Sequence, residues 1–287
     1  MLKISHLSFP GLGIDEFSVN SVAFTLFGKD VAWYGVIITT GIILAALYVL
    51  YRAKQEHVSS DDVLDVGIYT VLFAVLGARI FFVVTSLDQY IGRPFWKIFA
   101  IWEGGLAIYG AIIAGAITIL VWCKLKKRDP LVFYDMIAPA VMIGQLMGRW
   151  GNFFNAEAYG SKTDIFCRMG ILQGGEWYYY HPCFFYESFW NFIGLILISL
   201  FYKKKKYNGQ IVLMYFAWYG FGRMFIEQLR TDSLAIGGNN ENAVWYLKVS
   251  SILGLFFFLV CGGILLYNLI KKTKRPTAFD EIPEKAE

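Results

Sequence analysis

Charge is what this sequence has least of. Asp, Glu, Lys and Arg make up 17% of its 287 residues, against 57% hydrophobic and 18% aromatic. That balance excludes a soluble domain and points to a polytopic helical membrane protein. Histidine occurs only as His6, His57 and His181, so a His-rich metal site is excluded and no metal or nucleotide cofactor is expected. The four cysteines lack metal-ligand spacing. Cys123 and Cys261 lie in or beside apolar runs; Cys167 and Cys183 share one polar loop. A disulfide between those two is open, but nothing else marks a disulfide framework, so free thiols are the expectation. There is no Walker loop, no His-Glu-x-x-His helix and no Gly-x-Ser-x-Gly elbow, which argues against ATP-driven transport, a metalloprotease and a serine lipase. No cleavable signal peptide is visible, because Lys3 stands alone and residues 4–32 lack a continuous apolar core.

What is present is a series of apolar runs. They predict seven spans near 33–51, 63–85, 104–123, 131–150, 184–202, 211–229 and 244–270, each close to the ~20 residues a bilayer requires. Asp61-Asp62 caps the second and Asp129-Pro130 starts the fourth. Basic clusters follow spans one, three, five and seven: Arg52 with Lys54, Lys124 to Arg128, Lys203 to Lys206, and Lys271 to Arg275. Seven spans put all four on one side, which the positive-inside rule makes cytoplasmic, with the N-terminus outside and the C-terminus inside. The expected fold is all-α. Residues 1–32 form an extracytoplasmic or interfacial segment, 33–270 the seven-helix domain with an outer head loop at 152–183, and 271–287 a cytoplasmic tail. Partial alternation from Val19 to Phe27 predicts a short strand or hairpin on the membrane surface. Arg93-Pro94-Phe95-Trp96 in the first outer connection, 86–103, predicts an interfacial helix. The acidic tail from Pro276 is expected to be disordered. There is no internal repeat.

One polar stretch interrupts this pattern. Gly148-Arg149-Trp150-Gly151-Asn152-Phe153-Phe154-Asn155-Ala156-Glu157-Ala158-Tyr159-Gly160 ends the fourth span. An unpaired guanidinium there costs about 2.5–3.5 kcal/mol, so Arg149 needs a partner or a task. A snorkelling Arg with an Asn cap is the plain alternative. Arg, two amides, a carboxylate and three glycines within thirteen residues favour a site.

The topology brings other polar residues to the same end. Tyr219, Arg223 and Glu227 sit four apart on the sixth span, on one face. His181 and Glu187 begin the fifth, Tyr34 the first, and Glu103 and Tyr109 the third; Arg79 lies in the outward half of the second. Arg223 with Glu227 also reads as an internal ion pair, Arg79 as structural, and His181 as a helix-entry residue. Tyr34 and Tyr109 also fit the ordinary enrichment of Tyr at membrane interfaces. Several guanidiniums opening toward the outer leaflet suit an anionic lipid headgroup, because Arg binds phosphate bidentately and keeps its charge when desolvated.

The stretch from Gly148 to Glu157 resembles the signature of the bacterial prolipoprotein diacylglyceryl transferases. His181-Pro182 to Tyr186-Glu187, Tyr219 to Glu227, Trp33-Tyr34-Gly35, Glu103-Gly104-Gly105 and Asp135 to Pro139 match the same family in order along nearly the whole chain. The resemblance implies a multi-pass enzyme of the bacterial plasma membrane. It would move the diacylglyceryl group of phosphatidylglycerol to the lipobox cysteine of a preprolipoprotein signal peptide, releasing glycerol 1-phosphate, with no nucleic acid involved. Many members carry His where this chain has Tyr109, and that His has been assigned a catalytic role. Tyr, with an unperturbed pKa of about 10, is a poor base at neutral pH.

On this reading Arg149 and Arg223 stabilise the phosphate charge, Tyr34 and Tyr109 shape the reacting pocket, and Asn152 orients the headgroup. Glu157 and Glu227 hold the guanidiniums. Asn155, Gly160, His181, Glu187, Tyr219, Glu103 and Arg79 complete the substrate-binding set. Two rival classes remain. A lipid-binding or lipid-translocating protein predicts polar residues through the full membrane depth, whereas the cytoplasmic halves of these spans are almost wholly apolar. A phospholipase-like enzyme would deliver the lipid to water.

Overall fold

A computed structural model describes residues 4–231 and 248–280. Among them are seven long helices: α1 Trp33–Gln55, α2 Ser60–Thr85, α3 Ile108–Leu125, α4 Pro130–Phe154, α5 Cys183–Phe201, α6 Gln210–Leu229 and α7 Val249–Ile270. Six are long and apolar enough to cross a membrane. The seventh, α6, has the length but is diluted by Gln210, Arg223, Glu227 and Gln228. The protein is a polytopic helical membrane protein, and each helix coincides with an expected span. The expected start of the last, at 244, lies outside the described residues, as do most of the connection 230–243 and residues 281–287 of the tail.

Helix starts follow local chemistry. Ser59, rather than Asp61-Asp62, caps α2 by accepting from the Asp62 amide, and both aspartates sit in its first turn, where the helix dipole favours them. Asp129 accepts from the Leu131 amide at 2.9 Å, just before Pro130 opens α4.

The expectation of an all-α fold is corrected: among the described residues six strands accompany the helices, β1 Ile4–Phe9, β2 Ile14–Asn20, β3 Val22–Leu26, β4 Lys29–Ala32, β5 Met169–Gln173 and β6 Glu176–Tyr180. An antiparallel sheet runs in the order β2-β1-β5-β6, with Leu7 opposite Ile171. The strand or hairpin expected at Val19–Phe27 appears as the β3–β4 hairpin, turned by Phe27 and Gly28 at positive φ. Leu7, Val19, Met169, Ile171 and Tyr180 form a core with Phe184 of α5, and Phe153 and Phe154 of α4 pack against it. The sheet thereby holds the end of α4 and the start of α5 together.

The chain divides into two compact units, Met1–Val49 with Asp135–Glu287, and Leu50–Tyr134. In the first, Ala138 and Met142 of α4, Ile198 of α5, and Ile211 and Tyr215 of α6 make a second core. Trp190 and Trp218 stack at 4.2 Å, and each indole N–H donates to the other's carbonyl at 3.0 Å, which fixes α5 against α6. In the second, α2 packs on α3, and the interfacial helix expected at 93–96 is a 3-10 turn, Phe95–Phe99, with Phe95, Trp96 and Phe99 exposed.

Near the start of α4, Lys205 of the basic run after α5 is buried and bonded to buried Asp135 at 3.1 Å. Asp135 also accepts from the amides of Gly209 and Val212, so the α5–α6 corner is built on that carboxylate. The expectation of disorder from Pro276 is corrected over residues 276–280: Thr277 is buried and Phe279 meets Tyr202 edge-on. Apolar contact with that corner offsets the ordering cost that composition alone suggested.

Candidate active site

Glu187 is the centre of the site. It lies in the first turns of α5, with its side chain 4% exposed. Its Oε1 accepts from Arg149 Nη2 at 2.7 Å, and its Oε2 accepts from Arg223 Nη1 at 2.9 Å. A third guanidinium, that of Arg230, approaches Oε2 at 3.5 Å. Arg223 also pairs with Glu227 at 2.6 Å, one turn along α6. Among the described residues, three guanidiniums thus face two carboxylates in a largely desolvated place. Guanidiniums held in this way have the chemistry to take an anion.

Local structure explains this convergence. Trp150 Nε1 donates to Ser188 Oγ at 3.1 Å, tying α4 to α5 beside Glu187. The Trp190–Trp218 pair sits one turn below and sets α6 in register. Beyond α6 the chain turns extended at Arg230 and bridges to Gly160, while Ser161 donates to the Leu229 carbonyl. Lys248 Nζ donates to the carbonyls of Glu227, Gln228 and Arg230, capping the end of α6 with a cation. Gly160 is required by space: a Cβ would lie 2.7 Å from both Cys183 Sγ and the Leu229 carbonyl oxygen.

The turn after α4 carries the amides. Asn152 Oδ1 accepts from Arg149 Nη1 at 3.1 Å, and Asn152 Nδ2 donates to Glu157 Oε1 at 2.9 Å. Asn155 Nδ2 donates to the same oxygen at 3.1 Å. Glu157 therefore reaches Arg149 only through Asn152; the carboxylates that hold the guanidiniums are Glu187 and Glu227. Ala156 and Ala158 both adopt positive φ, a strained backbone for alanine. The Tyr34 ring covers Gly151, where a Cβ would come within 2.6 Å, and Tyr219 stacks on Tyr215 one turn before Arg223.

His181 stands before α5, its Nδ1 3.5 Å from the Tyr186 hydroxyl, which is also 3.4 Å from Cys167 Sγ. Desolvation pulls its pKa below the ordinary histidine value, so the ring is neutral at neutral pH. Cys167 and Cys183 are both free thiols.

Arg79, Glu103 and Tyr109 belong to the second unit. Arg79 is buried, and its guanidinium donates to the carbonyls of Lys97, Ile98, Gly104 and Gly105 at 2.7–3.0 Å. Those bonds fold the 97–105 loop back onto α2, which favours the structural alternative for Arg79. Glu103 pairs with Lys97. Tyr109, at the second position of α3, is 36% exposed.

The residue missed from sequence is Arg230. It lies just past the expected end of the sixth span at 229, although 219, 223, 227 and 230 continue the same three-and-four spacing.

Comparison with known proteins fits this arrangement. The family model described as prolipoprotein diacylglyceryl transferase matches residues 21–267. A phosphatidylglycerol–prolipoprotein diacylglyceryl transferase of Finegoldia magna is 41% identical over 255 residues, covering 88% of this chain and 97% of that protein. Proteins of the same name from Lactobacillus delbrueckii subsp. bulgaricus and, numbered 1, from Clostridium perfringens are each 38% identical. Those matches cover 88% and 89% of this chain, and 92% and 98% of the relatives. With the match spanning both units and the whole guanidinium cluster, the chain belongs to the prolipoprotein diacylglyceryl transferase family.

Proposed function

We propose that this protein transfers the diacylglyceryl group of phosphatidylglycerol to the lipobox cysteine of preprolipoproteins. The observation that carries the proposal is the convergence of Arg149, Arg223 and Arg230 on one buried carboxylate, in a chain of this family. The cysteine sulfur attacks the glycerol carbon that bears the phosphate ester. A C–S bond forms and the C–O bond to phosphate breaks. Glycerol 1-phosphate departs with the bond's electron pair, and the thiol proton is lost to base or solvent. Negative charge grows on the leaving phosphate, where Arg149 and Arg223 stabilise it without having to reorganise. Asn152 orients the headgroup, Tyr34 walls the pocket over Gly151, and Tyr219 supports Arg223. Tyr109 positions groups by hydrogen bonding and is not the base.

The setting we propose is the bacterial plasma membrane, spanned seven times, with the N-terminus outside and the C-terminus in the cytoplasm. The site then faces the outer leaflet, and the four-stranded sheet forms a small extracytoplasmic head. The basic clusters after α1, α3, α5 and α7 support that orientation. Against a translocation pathway, Asp135 at the other end of α4 is saturated by Lys205 and two backbone amides. Incubation of the purified protein with phosphatidylglycerol and a lipobox peptide tests the proposal. A thioether-linked diacylglyceryl peptide in the mass spectrum is expected. Diacylglycerol released at the same rate with or without peptide would establish the phospholipase-like alternative instead.

A further inference from the structure

Helix α6 ends beside the guanidinium cluster without a capping residue of its own. Leu229-Arg230-Thr231 holds no glycine, so the left-handed turn that commonly closes a helix would be strained here. The chain instead leaves extended, with Arg230 at φ −78° and ψ 141°. Such an exit leaves the carbonyls of the last turn to outside donors. The Ser161 N–H donates to the Leu229 carbonyl at 2.6 Å, and the Arg230 N–H reaches back to that of Glu227 at 3.2 Å. Lys248 meets the others. Its Nζ lies 3.0 Å from the Glu227 carbonyl, 3.2 Å from that of Gln228 and 2.9 Å from that of Arg230. An ammonium has three N–H donors, which matches three carbonyls of one turn.

The packing of α7 on α6 sets where that ammonium sits. Lys248, Ser251 and Gly254 recur every third residue, a spacing that keeps them on one side of α7. Buried Ser251 accepts from Gln228 Nε2 at 2.6 Å. Gly220 of α6 lies so close that a Cβ there would come within 2.5 Å of the Gly254 carbonyl oxygen. From Val249 to Ile270 α7 holds no charged residue, and the cation just before it is the one that meets the end of α6.

Arg230 is the guanidinium that this turn presents. It approaches Glu187 at 3.5 Å, against 2.7 Å for Arg149 and 2.9 Å for Arg223. A contact that long holds a side chain weakly, so the place of Arg230 depends on its backbone. We infer that Lys248 is a positioning residue for the transfer: by joining the carbonyls on both sides of the exit turn, it keeps Arg230 at Glu187, within the set of guanidiniums that serves the leaving phosphate. The inference rests on the proposed transferase reading and extends it to a residue outside the cluster, which acts through Arg230. Loss of the ammonium strips carbonyls of their partner and lets the turn relax.

The test is a double-mutant cycle of Lys248→Met and Arg230→Gln on the full chain in nanodiscs. It is read by transfer from phosphatidylglycerol to a lipobox peptide, by thermal unfolding and by amide hydrogen exchange. Lys248→Met should lower kcat by about tenfold to a hundredfold, with a smaller change in KM. In the Arg230→Gln background the same change should cost little further rate, although Tm still falls. Exchange in the peptides that hold Ser161 and Arg230 should quicken in Lys248→Met. Two rate losses that simply multiply would make Lys248 a structural cap alone and overturn the inference. So would a normal rate in either single variant. If the wild type forms no thioether, the transferase reading fails, and the exchange data decide by themselves whether Lys248 holds Arg230: unchanged protection at Arg230 would show that it does not. Lys248→Gln, which keeps two N–H donors without the charge, carries the same cycle if Lys248→Met does not fold.

Discussion

Replacing Glu187 by Gln should disable the enzyme without abolishing its grip on anionic lipid. The wild-type carboxylate has its side chain 4% exposed and accepts from Arg149 at 2.7 Å and Arg223 at 2.9 Å, with Arg230 at 3.5 Å. The amide keeps the size, loses the charge, and presents an N–H₂ to at least one guanidinium. The carboxylate that three guanidiniums approach has then lost its charge. Removing one partner of a buried ion pair costs about 3–5 kcal/mol. For a chain of this size that corresponds to a fall in Tm of roughly 10 °C. Arg149 loses its direct carboxylate and keeps only Asn152 beside it, so it should drift. A displacement of about 1 Å in a positioned catalytic group costs on the order of a hundredfold in rate. Affinity for phosphatidylglycerol should hold or rise, because the cluster has become more positive. The phospholipid should also raise the variant's Tm more than the wild type's, since it supplies the missing anion. The assays are single-turnover transfer to a lipobox peptide, lipid binding, and thermal unfolding in the same detergent. Near-normal kcat and Tm would refute the idea that Glu187 organises the cluster. A rise in KM at unchanged kcat would show that it contacts substrate instead.

Arg149→Lys and Arg223→Lys should each lower turnover by roughly a hundred- to thousandfold while weakening lipid binding less, because Lys keeps the charge but loses the planar fork; near-normal rates in both would sink the phosphate clamp. Tyr109→Phe should keep measurable transfer and Tyr109→His should be tolerated, whereas complete loss in a folded Tyr109→Phe protein would assign proton transfer to the hydroxyl. Phe279→Ala should destabilise the α5–α6 corner by about 1–2 kcal/mol, read as a Tm a few degrees lower; an unchanged Tm would mean that the contact with Tyr202 contributes nothing. Reporter fusions should place Lys204 and Lys272 in the cytoplasm and Gly174 outside, and a cytoplasmic Gly174 would overturn the orientation.

The sequence by itself determined the helices. Transfer free energy is a sum over about twenty neighbouring residues, so hydropathy located all seven helices almost to their ends. Helical spacing placed Tyr219, Arg223 and Glu227 on one face, and an isolated arginine among amides and glycines marked the turn after α4. These are local properties, readable along the chain. Partner choice was not. Glu187 and not Glu157 holds Arg149; Arg230 joins from what looked like a loop; Arg79 spends its donors on backbone carbonyls. Lys205 leaves a basic run to pair with buried Asp135, and the first strand pairs with β5 far along the chain. A charge taken out of water must find a counter-charge or a carbonyl, and that need is legible in one dimension. Which group answers it depends on how α4, α5, α6 and the sheet pack, because helices brought side by side decide which side chains come within hydrogen-bonding distance.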